Sequence, residues 1–518
     1  MCGRETPADR NGGYGDAVRT LTVTRLEHLP RLAWLVQLDQ GSDTVSATVG
    51  PWVDARPDAV FEGTWAGDVS SDFSDSFSLF GSGVLLRGDE LVVAAPCHTM
   101  EAVYSVRHDG KLAFSNSIAF LLEAVGVELD MNYLGYEADA LSIRGGLDSY
   151  HREWPLADGA RLGVHFYCNV VVNAAGELRE ERKPVPPRVG SWQEYRGFLG
   201  DQMAAVHANA THAGRVHTYP PIVFSSNGYD SSACAALGKE IGCNEAVVFE
   251  SKRASRSDSG RDVVTALGYT EIHEKHELDY RDTDTADLFV ANGELGTSMY
   301  FAAAELELTG KMLLSGAYGD RAWDRTAKVN DQVRRYVPLP DTSRKEFRLA
   351  AGYLMVAPAY LSTMHLADVV AISNSPEMAP WTLHNDYDRP IPRRVVEEAG
   401  VPRELFGQHK DGGAGTSLRF GTLAQLRRTM PSKSLGRFTA YLGEARKRRN
   451  KLRPKYLLRV VAYGLYLFTA VLDTRGVKKP IRVLQDRWPI EYQCSPFAPS
   501  YLFPWGVSEV RSAYRASP

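Results

Sequence analysis

Residues 222–249 constrain this chain more than any other stretch. Ile222-Val223-Phe224 reads as a short buried strand, Ser232 to Ile241 as a helix ending at Gly242, and Ala246-Val247-Val248-Phe249 as a second buried strand. Strand, helix, strand in that order predicts a parallel sheet with helices on its faces. The link from first strand to helix is Phe224-Ser225-Ser226-Asn227-Gly228-Tyr229-Asp230-Ser231-Ser232. An open α/β sheet places its ligand at such a strand-to-helix turn. Small residues let the backbone approach a ligand, and N–H groups at a helix start favour a polyanion. Hydroxyls and one carboxylate add phosphate donors and a Mg²⁺ ligand. The plainer reading is a serine-rich turn in which Asp230 or Ser231 caps the helix. It is not the Walker loop, because no Gly-Lys-Ser/Thr follows. No strand–GxGxxG–helix occurs either, which disfavours a nicotinamide cofactor.

A chain of 518 residues exceeds one hydrophobic core, so two or three domains are expected. With 44% hydrophobic and 24% charged residues it is ordinary globular material. A net charge of −4 argues against a chain built to coat nucleic acid. The six cysteines, at 2, 97, 168, 234, 243 and 494, form no CxxC pair and no zinc spacing. A reducing cytoplasm is the expected compartment. The N-terminus has no apolar signal core, and the longest apolar run, Val460 to Leu472, is shorter than the ~20 residues of a spanning helix.

Three stretches follow. Residues 1–183 are rich in strand patterns, such as Ala33 to Leu38, Gly83 to Leu86 and Leu91 to Ala95. Lys183-Pro184-Val185-Pro186-Pro187 reads as a stiff, extended domain boundary. Beyond it Trp192, Tyr195, Leu199, Met203 and Val206 fall at helical spacing. The last third is helical and basic: Arg427 to Arg459 holds twelve Lys or Arg against one acid, Glu444.

Ser226-Asn227-Gly228-Tyr229-Asp230-Ser231-Ser232 resembles the Ser-Gly-Gly-Leu-Asp-Ser-Ser pyrophosphate-binding loop of the asparagine synthase family. Asn227 stands at the family's first glycine, and Asn tolerates a positive φ. Met312 to Arg321 resembles the second signature, a strand followed by Ser-Gly-Glu-Gly-Ala-Asp-Glu. Ser315 and Gly316 match its start and Asp320 its aspartate, while Ala317 and Arg321 replace both glutamates. Asp388 to Lys410 resembles the stretch in which an Arg-bearing helix leads to a Pro and a terminal Lys.

The resemblance is clear over about 192–412. It implies ATP and Mg²⁺ as cofactors, activation of a substrate carboxylate as its acyl-adenylate, and capture by an amine. Ser226, Asn227, Gly228, Asp230, Ser231, Ser232, Ser315 and Gly316 would bind the nucleotide, Asp230 and Asp320 the metal. Lys410 would steady the charge built in adenylation.

Glutamine-hydrolysing members begin Met-Cys-Gly, as this chain does, which makes Cys2 a candidate nucleophile. The glutamine-holding segments Arg-Gly-Pro-Asp and Asn-Gly-Glu-Ile-Tyr-Asn are absent. Residues 89–122 still resemble the late strands and helix of that domain. The expected fold is therefore α/β, in three parts. A shortened, degenerate N-terminal-nucleophile (Ntn) hydrolase-like α+β sandwich covers 1–183. A doubly wound ATP-pyrophosphatase (PP-loop) domain of the adenine nucleotide alpha hydrolase type covers 190–412. A helical extension covers 413–518.

Three readings follow. The first is an amide ligase using an amine other than glutamine-derived ammonia, as in relatives that close β-lactams or lasso peptides. The second is a glutamine-dependent asparagine synthetase, and the third a catalytically silent binding protein of a biosynthetic cluster. The basic segment with its apolar run, 446–472, reads as a core helix with a solvated approach, a membrane-surface element, or an attractor for an acidic partner.

Overall fold

Period-two alternation explains the first two sheets. In Thr44–Val49, Val45, Ala47 and Val49 are buried while Thr44 and Ser46 face solvent. The computed structural model describes residues 19–250, 252–253, 256–293, 298–327, 329, 333, 344–385, 387–408, 423–474 and 488–515. It is a mixed α/β molecule with three large sheets.

The seven-stranded sheet runs Thr20–Arg25, Thr44–Val49, Trp34–Asp39, Lys111–Ser115, Val103–His108, Arg161–His165, Glu153–Pro155. The six-stranded sheet runs Leu178–Arg182, Cys168–Val172, Glu90–Ala94, Phe80–Arg87, Ala59–Thr64, Asp54–Arg56. Trp34, Val36 and Phe114 of the first share a core with Val60, Val84, Val93 and Val170 of the second. The two sheets therefore face each other. Helix Ile118–Val125 covers the other face of the seven-stranded sheet. The strands read from sequence at 33–38, 83–86 and 91–95 are all present.

The third sheet is wholly parallel, ordered Glu271–His276, Glu245–Glu250, Pro221–Ser225, Met312–Leu314, Leu354–Val356. In chain order that is 3-2-1-4-5, with the direction of winding reversing between Pro221–Ser225 and Met312–Leu314. Helix Trp192–Ala210 packs beside it and buries Trp192, Tyr195, Leu199, Met203 and Val206, as their spacing predicts. Lys183 of the extended connector is buried and donates to Asn169 Oδ1 at 2.6 Å, so that stretch is tied to the strand region before it.

The end of the chain is more than an appendage to the parallel sheet. Phe503, Val507, Val510 and Tyr514 recur at helical spacing and join the core beneath Ile118–Val125. Arg511 Nε reinforces this at 2.8 Å from Glu123 Oε2.

Short helix Lys345–Ala351 joins all parts through charges. Arg348 donates to Glu62 Oε2 at 2.8 Å and to Glu101 Oε1 at 2.8 Å. Glu346 accepts from Ser117 Oγ at 2.6 Å and from Tyr514 Oη at 2.9 Å. Lys345 Nζ donates to the Ala102 carbonyl. Burial pulls the Lys345 ammonium down to about 8 from its ordinary 10.5, with Glu101 opposing the shift. Between those values the unfolded chain holds a proton that the folded one has released, so stability should rise with pH from about 8 to 10.5. Lys345→Met is expected to flatten that rise in denaturant unfolding measured across the window. A variant with the parental slope would refute this assignment.

Candidate active site

The polar turn lies where the parallel sheet reverses its winding, at the carboxyl end of Pro221–Ser225. The helix after it begins at Tyr229 and ends at Glu240, three residues earlier at its start than the sequence suggests. Gly228, at φ −76° and ψ 156°, is the capping position, so Asp230 and Ser231 sit in the first turn and do not cap it. The early start follows from packing. Tyr229 is fully buried against Tyr387 and Phe406, which anchors the first turn as ordinary helix. Asn227 is not among the residues with positive φ, so its place at the family's glycine needs no left-handed backbone.

The turn is braced internally. Ser226 Oγ lies 2.8 Å from Ser231 Oγ, and Gly228 N donates to Ser226 Oγ at 3.2 Å. Ser232 is buried, and its hydroxyl donates to Gly228 O at 2.8 Å, so it shapes the loop from beneath. Asn227 N donates to Asp258 O at 3.3 Å, and Gly407 N to Asn227 O at 2.8 Å.

The second signature closes over Asp230. A Cβ on Gly316 would lie 2.9 Å from Asp230 C and Ser231 N, and one on Gly319 only 2.6 Å from Asp230 Cγ. Only glycine lets the two loops touch. Between them Tyr318 takes φ +70°, the left-handed region that costs a side chain energy, and stacks on Tyr360 at 4.3 Å. Asp320, partly exposed, opens the short helical turn Gly319–Ala322.

Helix Pro390–Glu398 brings the third stretch in. Arg389 Nη1, just before it, lies 2.7 and 2.6 Å from the Asp230 carboxylate oxygens. Burial opposes the Arg389 charge, but Asp230, with Tyr387 and Asp320 behind it, holds that pKa above its ordinary value. Burial, with Asp230 second, pushes the Tyr387 hydroxyl up to about 12. Arg393 is fully buried and donates through Nε to Tyr229 Oη at 3.1 Å.

A cavity of 280 Å³ opens at the sheet edge, lined among others by Phe224, Ser226, Ser231, Phe301, Ser315, Gly316 and Arg344. Phe224 stacks on Phe301 at 4.5 Å, giving one flat apolar wall facing a polar floor. Of the residues singled out from sequence, Ser226, Ser231, Ser315 and Gly316 line it. Asp230 and Asp320 converge on Arg389 beside it, near a second, open cavity of 560 Å³ that Arg389 lines with Arg325, His384 and Asp388. Lys410 and Cys2 lie outside the described residues.

Sequence reasoning missed Arg344. This residue is buried, holds φ +46°, and sets its guanidinium carbon 3.8 Å from the Phe301 ring centroid. Its Nη2 donates to Met355 Sδ at 2.7 Å, and among the described residues its buried Nε has no hydrogen-bond partner. No local motif surrounds it; only the fold brings it to the cavity. Arg389 lies within the stretch Asp388 to Lys410, but nothing in sequence pairs it with Asp230.

No family model matches the chain, and no curated protein matches it. Among solved structures it is similar to the glutamine phosphoribosylpyrophosphate amidotransferase from B. subtilis complexed with ADP and GMP. The two share 10% identity at a TM-score of 0.17, over 68% of this chain and 89% of that one. The site's own geometry therefore carries the functional reading.

Proposed function

We propose that this protein is an ATP-dependent, AMP- and pyrophosphate-forming amide-bond ligase of the asparagine synthase type. The observation that carries the reading is the convergence of three distant stretches, around 226–232, 315–320 and 389–407, on the turn that carries Asp230. Tyr318 adds support: it stands at the second signature's second glycine and takes the positive φ that a glycine there would serve.

In this reading the aromatic wall of the 280 Å³ cavity takes the adenine. Ser226, Ser231 and the start of helix Tyr229–Glu240 hold the pyrophosphate, exchanging their mutual hydroxyl contacts for phosphate oxygens. The residues present fit a magnesium ion: the Asp230 carboxylate sits in the polar turn, and Asp320 is partly exposed next to the Gly319 that packs on it. Bound there, the ion would supply charge neutralisation on the phosphates. Arg344 brings positive charge to the cavity wall for an anionic group, and Arg389 fixes the Asp230 carboxylate in place. A substrate carboxylate oxygen attacks the α-phosphorus and pyrophosphate leaves. An amine then attacks the acyl carbon, losing a proton, and AMP leaves. The 560 Å³ cavity lined by Arg389, the partner of Asp230, has room for the second substrate.

ATP–pyrophosphate exchange across a panel of carboxylates tests the reading, and absence of any exchange by protein that binds no ATP would overturn it. Lys410→Ala is expected to bind ATP nearly as the parent does while losing about 10²–10³ in turnover, because a cation on the departing pyrophosphate acts mainly in the transition state. Lys410→Arg should recover little. Near-parental turnover in Lys410→Ala would remove that residue from the chemistry.

A further inference from the structure

Helix Pro454–Thr474 is apolar on two opposite faces. Ala462 and Tyr463 are buried against the protein. About half a turn away Leu457, Val461, Leu465 and Phe468 recur every three or four residues, 54%, 62%, 53% and 61% exposed. Leu458 beside them is 56% exposed. A contiguous exposed stripe of this kind marks a contact surface.

The stripe starts where the basic segment ends. Arg446, Lys447, Arg448, Lys451, Arg453 and Lys455 are all exposed. A cavity of 340 Å³ sits at the same end, lined by Tyr133, Arg449, Arg453, Lys455, Leu458 and Arg459 among others. Four cations there face one acid, Glu491, whose Oε2 is 4.0 Å from Arg459 Nη1.

Two of the cations are built into the wall. Arg449 and Arg459 are only 4% and 9% exposed. Arg449 is fixed by Met131 O at 2.9 Å and Ser500 Oγ at 2.7 Å, and Arg459 by Leu134 O at 2.9 Å. The Arg449 guanidinium carbon lies 3.6 Å from the Tyr501 ring centroid, and that of Arg459 6.0 Å from the Tyr492 ring, so aromatic faces hold both groups in place. Both residues line the cavity, and fixed guanidinium charge in a cavity wall favours a phosphate group.

We propose that this face docks on an anionic phospholipid surface. The stripe enters the interface, the exposed cations meet the headgroups, and the cavity takes one phosphate headgroup. Charge decides for a bilayer: the apolar stripe begins beside a cluster of exposed lysines and arginines contributed by the preceding helix Ser432–Arg448, the connector and Lys455, and an apolar face next to such a cluster is the pattern of an interfacial element. Among the described residues no helix is long and apolar enough to cross a membrane, so contact would be peripheral. The cavity shares no residue with the candidate active site, and the inference stands apart from the proposed ligase reading.

Vesicle co-sedimentation of the full chain tests it. Binding is expected to phosphatidylcholine vesicles containing phosphatidylglycerol, to weaken with salt, and to be far weaker to phosphatidylcholine alone. Arg453→Gln/Lys455→Gln should weaken binding about 25-fold, from about five-fold per cation removed. Val461→Glu/Phe468→Glu should abolish it while circular dichroism and thermal unfolding stay parental. Equal binding to neutral vesicles, or no vesicle binding, overturns the proposal. So does saturable binding of inorganic phosphate or glycerol phosphate without vesicle binding, which would assign the cavity to a free anion. Light scattering that shows a dimer dissociated by Val461→Glu/Phe468→Glu, again without vesicle binding, would assign the stripe to a second copy of this chain.

Discussion

Asp230→Asn is expected to lose at least about 10²–10³ of ATP–pyrophosphate exchange while keeping its fold. Asparagine preserves the volume against which Gly316 and Gly319 pack, so the loops should stay closed. It removes the charge that the proposed metal site needs. It also leaves Arg389, which is 6% exposed, without its counter-charge. An unpaired buried cation destabilises, and Asp230→Ala should therefore both lose exchange and melt earlier. Asp230→Ala/Arg389→Met separates the two effects: stability should largely return and exchange should not. Folded Asp230→Asn that exchanges at the parental rate would remove the loop from the chemistry.

The largest stability effect is expected at Arg348. Its guanidinium bridges Glu62 and Glu101 with 3%, 0% and 2% of the three side chains exposed. Arg348→Met strands two carboxylates in the interior, and losing one partner of a buried ionic group costs about 3–5 kcal/mol. The triple variant Arg348→Met/Glu62→Gln/Glu101→Gln no longer buries unpaired charge and should recover most of that loss. Denaturant midpoints and slopes measure both. A single variant within about 1 kcal/mol of the parent would mean that this network does not hold the sheets together.

Much of the fold was legible locally. The strand at 33–38, the apolar stripe of Trp192–Ala210 and the strand–turn–helix at 221–240 act over a few residues, so the sequence displays them directly. The start of the helix at Tyr229 was missed because a residue far along the chain, Phe406, helps bury that ring. The basic and apolar run 446–472 was ambiguous in sequence because the helix formed there, Pro454–Thr474, is apolar on both faces and has no single inward side.

The sequence by itself determined the strands and helices, the polar turn at Ser226–Ser232, and the order of three stretches that resemble one family's signatures. It also determined where positive charge accumulates, between Arg427 and Arg459. Tertiary structure alone decided the partners. Arg389 meets Asp230 across 159 residues, Arg348 meets Glu62 across 286, and Arg511 meets Glu123 across 388. Arg344 reaches the cavity through the same long-range assembly. The physical reason is range. Propensity and periodicity are set by neighbours within one or two turns, whereas a buried charge is tolerated only where folding delivers an opposite one, and no local pattern records which residue that is.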